Sequence, residues 1–184
     1  LRSLYKLDND YSDLNKIAAN VIGKDSGNWF NMFIIDKGSN DGLKVNMNVL
    51  AGDGLVGIVT EVNKSYARVR SIIDDESSVT GSFLKTSDMC FVNGNLKLIN
   101  KGMIDISGIP ADAEIKNGYE VVTSPVSDKY LPGILIGYAR DIETDSSNIT
   151  QSAHLTPAAD FSGLDMVLVI TEVKDSGDLE DILN

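Results

Sequence analysis

Short runs of apolar or alternating residues, broken at regular intervals by turn-forming residues, constrain the fold of this 184-residue chain more than any other feature. From Ile17 onward, Gly, Asn, Asp and Pro interrupt the runs about every eight to twelve residues, which is the spacing of an all-β sandwich or barrel. The runs are Ile17–Ile22, Met32–Asp36, Asn48–Ala51, Leu55–Val62, Ala67–Ile73, Val79–Leu84, Met89–Val92, Leu96–Ile99, Tyr119–Ser124, Ile134–Ile142, Ile149–Thr156 and Met166–Val173. These twelve short runs suit two small barrels better than one, so the sequence predicts an all-β protein with two six-stranded antiparallel barrels.

Turn signals and composition divide the chain into four parts. Asp53-Gly54 and Asn93-Gly94 each predict a hairpin, because a two-residue type I′ turn needs positive φ at both central residues. We assign residues 1–16 to the end of a coiled-coil helix, 17–75 to the first barrel, 76–174 to the second barrel and 175–184 to an acidic flexible tail.

The N-terminal residues carry the only helical periodicity. The apolar residues with coiled-coil seam spacing are Leu4, Leu7, Tyr11, Leu14 and Ala18. Two heptads fall short of the roughly three to four that establish a coiled coil, so a single amphipathic helix packed on its own domain is the alternative. We expect the helix to end between Asp10 and Asn15, where short polar side chains compete for backbone hydrogen bonds.

Charge and cysteine content exclude several classes of protein. Asp and Glu number 27 against 16 Lys and Arg, which gives a net charge of -11. This excess argues against nucleic-acid binding, because phosphates require a concentrated basic surface. Cys90 is the only cysteine and cannot form an intrachain disulfide or a cysteine-based metal cluster. No apolar run approaches the ~18–20 residues of a membrane span, so a membrane anchor is expected outside this chain.

Two glycine-containing motifs approximate ligand sites but are better explained as turns. Gly52–Gly57 fits the dinucleotide fingerprint G-x-G-x-x-G, yet the alternating, β-branched run Ile58–Val62 stands where a helix N-terminus must receive the pyrophosphate. Asp36–Gly42 approximates a calcium loop, yet Met47 stands where a bidentate glutamate is required. We therefore expect a hairpin at the first motif and, at the second, a turn with Gly42 in a left-handed conformation, with no cofactor or metal at either.

His154 is the only histidine, so histidine-based catalysis would have to use it. Alternation within Ile149–Thr156 places its side chain on the polar face of a strand. The nucleophile elbow G-x-S-x-G and the zinc motif H-E-x-x-H do not occur in the sequence. We therefore expect an exposed structural histidine and no catalytic residue.

An ordered series of short motifs is more informative than any one of them. It runs Asn28-Trp29, Ile35–Ser39 with Asp41-Gly42, Met47, Gly54–Gly57, Val69, Ile73-Asp74, Val122–Ser124, Pro132-Gly133, Ile136-Gly137, Thr156–Ala158 and Met166–Ile170. In this order, over about residues 4–172, the sequence resembles the MreC family of rod shape-determining proteins, in the part outside the membrane.

The resemblance implies a non-catalytic scaffold that positions peptidoglycan synthesis and determines cell shape. Its barrels would look like those of chymotrypsin-type proteases without the catalytic residues. The implied partners are further copies of the chain as a dimer or filament, a class B penicillin-binding transpeptidase outside the cell, MreD and RodA in the membrane, and MreB inside. The implied location is the extracytoplasmic side of the cell membrane, with a single N-terminal anchor. Candidate interaction residues are the seam residues Leu4, Leu7, Tyr11 and Leu14, together with Tyr130 and Leu131 in a loop that keeps the family's aromatic residue and glycine.

The sequence departs from the family pattern in its loops. Asn46 and Asn48 stand where the family has glycine and often proline, Tyr119 replaces an aspartate, and Pro125 replaces a glycine. Asn46 can supply a left-handed position that glycine would otherwise fill, although less readily. We expect these changes to affect loop conformations rather than the fold.

Two alternatives remain open. A two-barrel hydrolase with an atypical site would require a pocket that holds His154 beside a serine or a carboxylate. A module that binds a cell-wall polymer would require exposed aromatic residues, such as Trp29, Tyr66 or Tyr130, along one groove.

Overall fold

The computed structural model describes residues 14–52 and 54–174 of the chain. Within these residues it contains twelve β-strands and two short 3-10 turns, at Ser39–Asp41 and Leu98–Lys101. The strands are β1 Lys16–Lys24, β2 Met32–Ile35, β3 Asn48–Ala51, β4 Gly54–Val62, β5 Ala67–Ser71, β6 Ser78–Phe83, β7 Met89–Asn93, β8 Ile104–Pro110, β9 Glu120–Thr123, β10 Leu135–Thr144, β11 Thr150–Pro157 and β12 Met166–Ile170.

All strands pair antiparallel, and both sheets close into six-stranded barrels. The ring order is β1-β12-β3-β4-β5-β2 in the first barrel and β10-β11-β8-β7-β6-β9 in the second. The all-β class and the two six-stranded barrels are therefore confirmed. Closure pairs the backbone groups that an open sheet would leave unsatisfied at its edges.

Alternating side chains explain how such short runs build a core. In β5, Ala67, Val69 and Ser71 are buried, whereas Arg68 and Arg70 between them are partly exposed. The inward side chains of both barrels form one continuous apolar cluster. Its fully buried phenylalanines are Phe33 in β2 and Phe83 in β6, and burial of such a ring contributes about 1.5–3 kcal/mol.

The last strand corrects the predicted division of the chain. The sequence analysis placed Met166–Val173 in the second barrel, but β12 pairs with β1 and β3 and closes the first barrel. The second barrel, residues 78–157, is thus inserted into the first between β5 and β12. Strand order around a closed sheet depends on pairings between distant segments, which a local pattern does not reveal.

One predicted strand and one predicted hairpin are wrong. Leu96–Ile99 belongs to a loop and the second 3-10 turn, and the true strand β8 follows it. Asn93-Gly94 does not form a two-residue turn, because β7 and β8 are joined by a longer loop that starts at Gly94. A Cβ at Gly94 would lie 1.9 Å from the carbonyl oxygen of Asp74, so this glycine serves a close approach of two backbones at the junction of the barrels.

Other turn predictions are confirmed. The Gly52–Gly57 motif lies in the β3–β4 hairpin, where Ala51 pairs with Gly54. Gly42 has φ 91° at the end of the first 3-10 turn, and Asn46 occupies a left-handed conformation with φ 74°.

Only part of the predicted N-terminal seam, and none of the predicted tail, lies within the described residues. Leu4, Leu7 and Tyr11 and the tail 175–184 lie outside the described residues. Leu14 packs against the core of the barrels, and Ala18 lies in β1, so the seam does not continue as a helix to that position.

Candidate functional site

Tyr130 and Leu131, the two candidate interaction residues of the second barrel, lie at the junction of the barrels. Asn48 of β3 is fully buried there: its Nδ2 donates to the Lys129 carbonyl at 3.0 Å, and its Oδ1 accepts from the Leu131 N–H at 2.8 Å. Tyr130, between these two residues, is itself buried, and burial raises the pKa of its hydroxyl. Asn48, one of the residues that depart from the family pattern, thus holds this loop of the second barrel against the first barrel through its side chain.

The acidic residues that follow β5 also belong to this junction. Asp74, Asp75 and Glu76 each have a defined partner. Asp74 and Glu76 lie 3.5 Å and 3.2 Å from guanidinium nitrogens of Arg70. Asp75 Oδ1 accepts from the Leu96 N–H at 2.9 Å in the second barrel. The segment therefore connects the barrels through directed polar contacts.

His154 lies with Asp105, Asp141, Ser107 and Ser152 at a cavity of about 290 Å³ on the second barrel. Its Nδ1 is 3.0 Å from Asp141 Oδ2, and its Nε2 is 3.8 Å from Asp105 Oδ1. The hydrogen bond from His154 lowers the pKa of Asp141.

The pocket that the hydrolase alternative requires is therefore present, with carboxylates beside the histidine. Among the described residues, however, no serine hydroxyl contacts either ring nitrogen. The arrangement places the imidazole beside carboxylates across β8, β10 and β11, but it lacks the contact between nucleophile and base that covalent catalysis uses.

The three candidate aromatic residues do not line one groove. Trp29 lies at the junction of the barrels, where its Nε1 donates to Asn100 Oδ1 at 3.0 Å. Tyr66 is exposed at the β4–β5 turn, and Tyr130 is buried. These three residues therefore do not form the aromatic groove that a polymer-binding module of that kind would require.

An exposed apolar surface covers one side of the second barrel. It consists of five outward side chains that we call the apolar face: Leu84, Met89, Phe91, Val122 and Tyr138. Leu84 is 60% exposed, Phe91 45% and Met89 42%. These fractions are high for large apolar side chains, and contiguous exposed patches of this kind mark interaction sites.

Strand register brings these residues together. Ser82 of β6 pairs with Met89 on one side and with Val122 on the other, and all three point outward. Phe91 follows Met89 on the same face of β7 because side chains alternate along a strand. Its ring lies against Gly108 of β8, where a Cβ would be 2.8 Å from Phe91 Cδ2.

Two cavities meet at Leu84 on this face. One, of about 350 Å³, is lined by Leu84, Lys85, Tyr119 and Glu120. The other, of about 280 Å³, is lined by Leu84, Val122 and the prolines of the neighbouring loops. Lys85 Nζ lies 5.1 Å from the centre of the Tyr119 ring, so a cation borders the apolar surface.

The sequence analysis missed this face, although one signal was available. Met89–Val92 is apolar at every position, whereas a barrel strand with one solvent-facing side should alternate apolar and polar residues. Cys90 and Val92 fill the core, which leaves Met89 and Phe91 for the outside. Burial raises the pKa of the Cys90 thiol to about 12, as expected for a cysteine packed in an apolar core.

The described part of the chain offers neither a metal-binding cluster nor a membrane-spanning helix. Within residues 14–52 and 54–174, no group of three or more His, Cys, Asp or Glu side chains could hold a metal ion. In the same part of the chain, no helix is long and apolar enough to cross a bilayer.

Comparison with known sequences gives one consistent family. The family model "Rod shape-determining protein MreC, barrel core" matches residues 21–171. The cell shape-determining protein MreC of Listeria monocytogenes is 32% identical over 173 residues, which cover 94% of this chain and 58% of that protein. The chain thus spans a little over half the length of this relative.

Solved structures agree on the fold. An MreC structure from Listeria monocytogenes has a TM-score of 0.80 at 28% identity and covers 95% of this chain and 88% of that one. The major periplasmic domain of the cell shape-determining filament MreC has a TM-score of 0.71 at 21% identity, with coverage of 85% and 95%. A complex between penicillin-binding protein (PBP2) and MreC from Helicobacter pylori matches with a TM-score of 0.66 at 17% identity, with coverage of 86% and 99%.

Proposed function

This chain belongs to the MreC family of rod shape-determining proteins, and on that premise we propose that it is a non-catalytic scaffold whose apolar face holds a penicillin-binding transpeptidase during cell-wall elongation. The observation that carries the proposal is the apolar face itself. Met89 and Phe91 lie on β7, Val122 on β9 and Tyr138 on β10, and Leu84 lies in the turn after β6, the strand between β7 and β9. The barrel is closed, so no further strand can pair with the sheet. A partner would therefore bind through side chains rather than by strand addition.

The chemistry of the face fits a protein partner. Exposed Phe, Tyr, Met and Leu side chains bordered by a lysine resemble the centre of a protein interface, where aromatic residues and methionine are enriched. The Helicobacter pylori relative forms a complex with a penicillin-binding protein, which supports the same class of partner here. Among the described residues no nucleophile contacts His154, so its cavity gives no support to the hydrolase alternative.

Substitutions on the face test the proposal. We expect Leu84→Glu and Phe91→Glu each to weaken binding of the transpeptidase at least about tenfold, because a buried charge without a partner is costly at an interface. Ile149→Glu is the matched control, since Ile149 is 73% exposed in the same barrel but lies outside the face. The measurement is calorimetric titration of the purified transpeptidase with each variant, after circular dichroism has confirmed the fold. Equal affinity for all three variants would contradict the proposal.

We also propose an extracytoplasmic location with an anchor outside this chain, in keeping with the periplasmic domain that shares the fold. Contacts with MreB, MreD and RodA are implied by the family and remain predictions.

Self-association through the N-terminal seam is a second proposal. Leu14 is unsuitable as a test position because it packs against the barrel core. We therefore choose Leu4→Asp with Leu7→Asp, which should reduce the sedimentation coefficient at high concentration if the seam joins two copies. Identical monomeric sedimentation of the variant and the parent chain would exclude the seam as an interface.

A further inference from the structure

A cavity lies where the two barrels meet the segment between β11 and β12. Its volume is about 330 Å³, within the range of about 300–1,000 Å³ typical of small-molecule sites, which favour domain interfaces. Trp29 of the first barrel forms one wall, Ile99 and Gly102 of the second barrel form another, and residues 157–162 complete it. Three parts of the chain that are distant in sequence therefore build one concave surface.

The aromatic wall is held in place before any ligand binds. Trp29 is half-buried, and its indole N–H already donates to Asn100 Oδ1 at 3.0 Å across the barrels. Ile99 and Phe161, which also line the cavity, are 3% and 2% exposed, so this part of the lining is apolar and fixed by packing. A ligand can therefore use the ring as a surface without ordering it first, which lowers the entropic cost of binding.

The rim of the cavity carries a hydrogen-bond acceptor. The N–H and hydroxyl of Ser162 donate to Asp160 Oδ1 at 3.0 Å and 2.6 Å. These hydrogen bonds lower the pKa of Asp160, so the carboxyl is ionised at neutral pH. Both contacts use Oδ1, and among the described residues Oδ2 has no partner. Oδ2 is thus available to accept hydrogen bonds from hydroxyl groups.

We infer that this cavity is a saccharide-binding site, in which a pyranose ring lies against Trp29 and its hydroxyl groups donate hydrogen bonds to Asp160. A pyranose has an apolar C–H face and a hydroxyl-bearing edge, which is the combination that an aromatic wall with a single carboxylate on its rim requires. An anionic ligand would be repelled by Asp160, and a wholly apolar ligand would leave its Oδ2 unused. The inference does not depend on the transpeptidase contact.

Trp29 is the only tryptophan of the chain, so intrinsic fluorescence reports on this cavity directly. We expect chitotetraose, a β-linked oligosaccharide, to change the fluorescence saturably with a Kd near the millimolar level. Asp160→Ala should weaken binding at least tenfold, an effect of about 1.4 kcal/mol. Asp112→Ala, at an exposed acidic residue after β8, is the matched control and should bind as the parent chain does.

Two results would overturn the inference. One is the absence of any fluorescence change at about 10 mM chitotetraose, roughly ten times the expected Kd. The other is equal affinity of the parent chain and Asp160→Ala. Amide chemical shifts give a second readout, which should change at residues 28–31, 99–102 and 157–162, and changes confined to the apolar face would also refute the site. Asp160→Ala should leave transpeptidase affinity unchanged, so the two proposals can fail separately.

Discussion

The two barrels have the same strand arrangement but differ in how the chain builds them and in what they expose. In the second barrel, β6-β7-β8 and β9-β10-β11 are consecutive three-strand units. In the first barrel the corresponding units are β3-β4-β5 and a discontinuous set made of β12, β1 and β2. The second barrel carries the apolar face, whereas the exposed apolar residues of the first, such as Ile22, Val45 and Tyr66, are on separate elements.

This difference suggests a division of roles. The first barrel is closed by strands from both ends of the described chain, so its stability depends on contacts between segments that are distant in sequence. A barrel made from one continuous segment can present a surface without taking part in that closure. The junction around Asn48, Gly94 and Tyr130 then fixes the presenting barrel relative to the closed base.

The largest effect is expected from removal of β12. A chain truncated after Asp165 loses Val167, Leu168, Val169 and Ile170, all of which are buried. Each contributes about 1.5–3 kcal/mol, and their sum is comparable with the total stability of about 5–15 kcal/mol of a typical domain. We expect hydrogen exchange to show rapid exchange in β1 and β3 and retained protection in β6–β8.

A chain truncated after Lys174 is the control for that experiment and should keep both barrels protected. Equal loss of protection in both barrels after removal of β12 would contradict the independence of the second barrel.

The next largest effect is expected at the closest backbone approach between the barrels. Gly94→Ala would place a Cβ 1.9 Å from the Asp74 carbonyl oxygen. We expect a loss of about 3 kcal/mol in the free energy of unfolding, measured by urea denaturation. The loss is large because the added methyl group would clash with backbone atoms of Asp74 and Ile72, which cannot rotate away as a side chain can. Gly23→Ala is the matched control, since no atom lies within 4 Å of its added Cβ. Similar losses for both variants would mean that the junction is not tightly packed.

The same glycine shows why sequence patterns revealed only part of the fold. Eleven of the twelve predicted runs overlap a strand, because side-chain alternation and turn residues are local signals. Asn93-Gly94 has the residues of a hairpin turn. Glycine is needed at position 94 for a different reason, because the backbone of Asp74, which is distant in the chain, leaves no room for a Cβ there. Ile104–Pro110 was missed because Gly108 and Pro110 resemble turn residues. In the structure Gly108 instead makes room for the ring of Phe91.

An intermediate effect is expected from the amide that links the barrels. Asn48→Ala leaves the Lys129 carbonyl and the Leu131 N–H without their partner. Because buried polar groups without partners are costly, we expect a loss of about 2 kcal/mol and faster amide exchange at Leu131. Asn63→Ala, which removes only a longer side-chain contact to Glu61, should change stability little. Unchanged exchange at Leu131 in Asn48→Ala would show that this amide does not hold the loop.

The candidate site was harder to predict than the fold. Family resemblance drew attention to Tyr130 and Leu131, but burial of Tyr130 against the first barrel depends on tertiary packing. The apolar face depends on the register between β6, β7 and β9, which a single strand does not specify.

The smallest effects are expected for two surface carboxylates, one in each barrel. Hydrogen bonds from His154 lower the pKa of Asp141, and hydrogen bonds from Asn20 lower that of Asp36, in each case below the usual 3.8. A lowered pKa in the folded state favours folding above pH 3.8, and this contribution is lost as the pH falls through the folded-state pKa.

Carboxyl carbon chemical shifts followed against pH can separate the two barrels. His154→Ala should raise the pKa of Asp141 and leave that of Asp36 low, whereas Asn20→Ala should do the opposite. A shift of both carboxyls in either variant would indicate that the barrels titrate as one unit.

Photo-crosslinking in growing cells shows directly which barrel contacts the transpeptidase. A photoreactive amino acid would replace Leu84 on the second barrel or Ile22 on the first, two aliphatic positions that are each 60% exposed. We expect a crosslinked product with a penicillin-binding transpeptidase from position 84 and none from position 22. Crosslinks to the transpeptidase from position 22 alone, or with equal yield from both positions, would contradict the assignment of the partner surface to the second barrel.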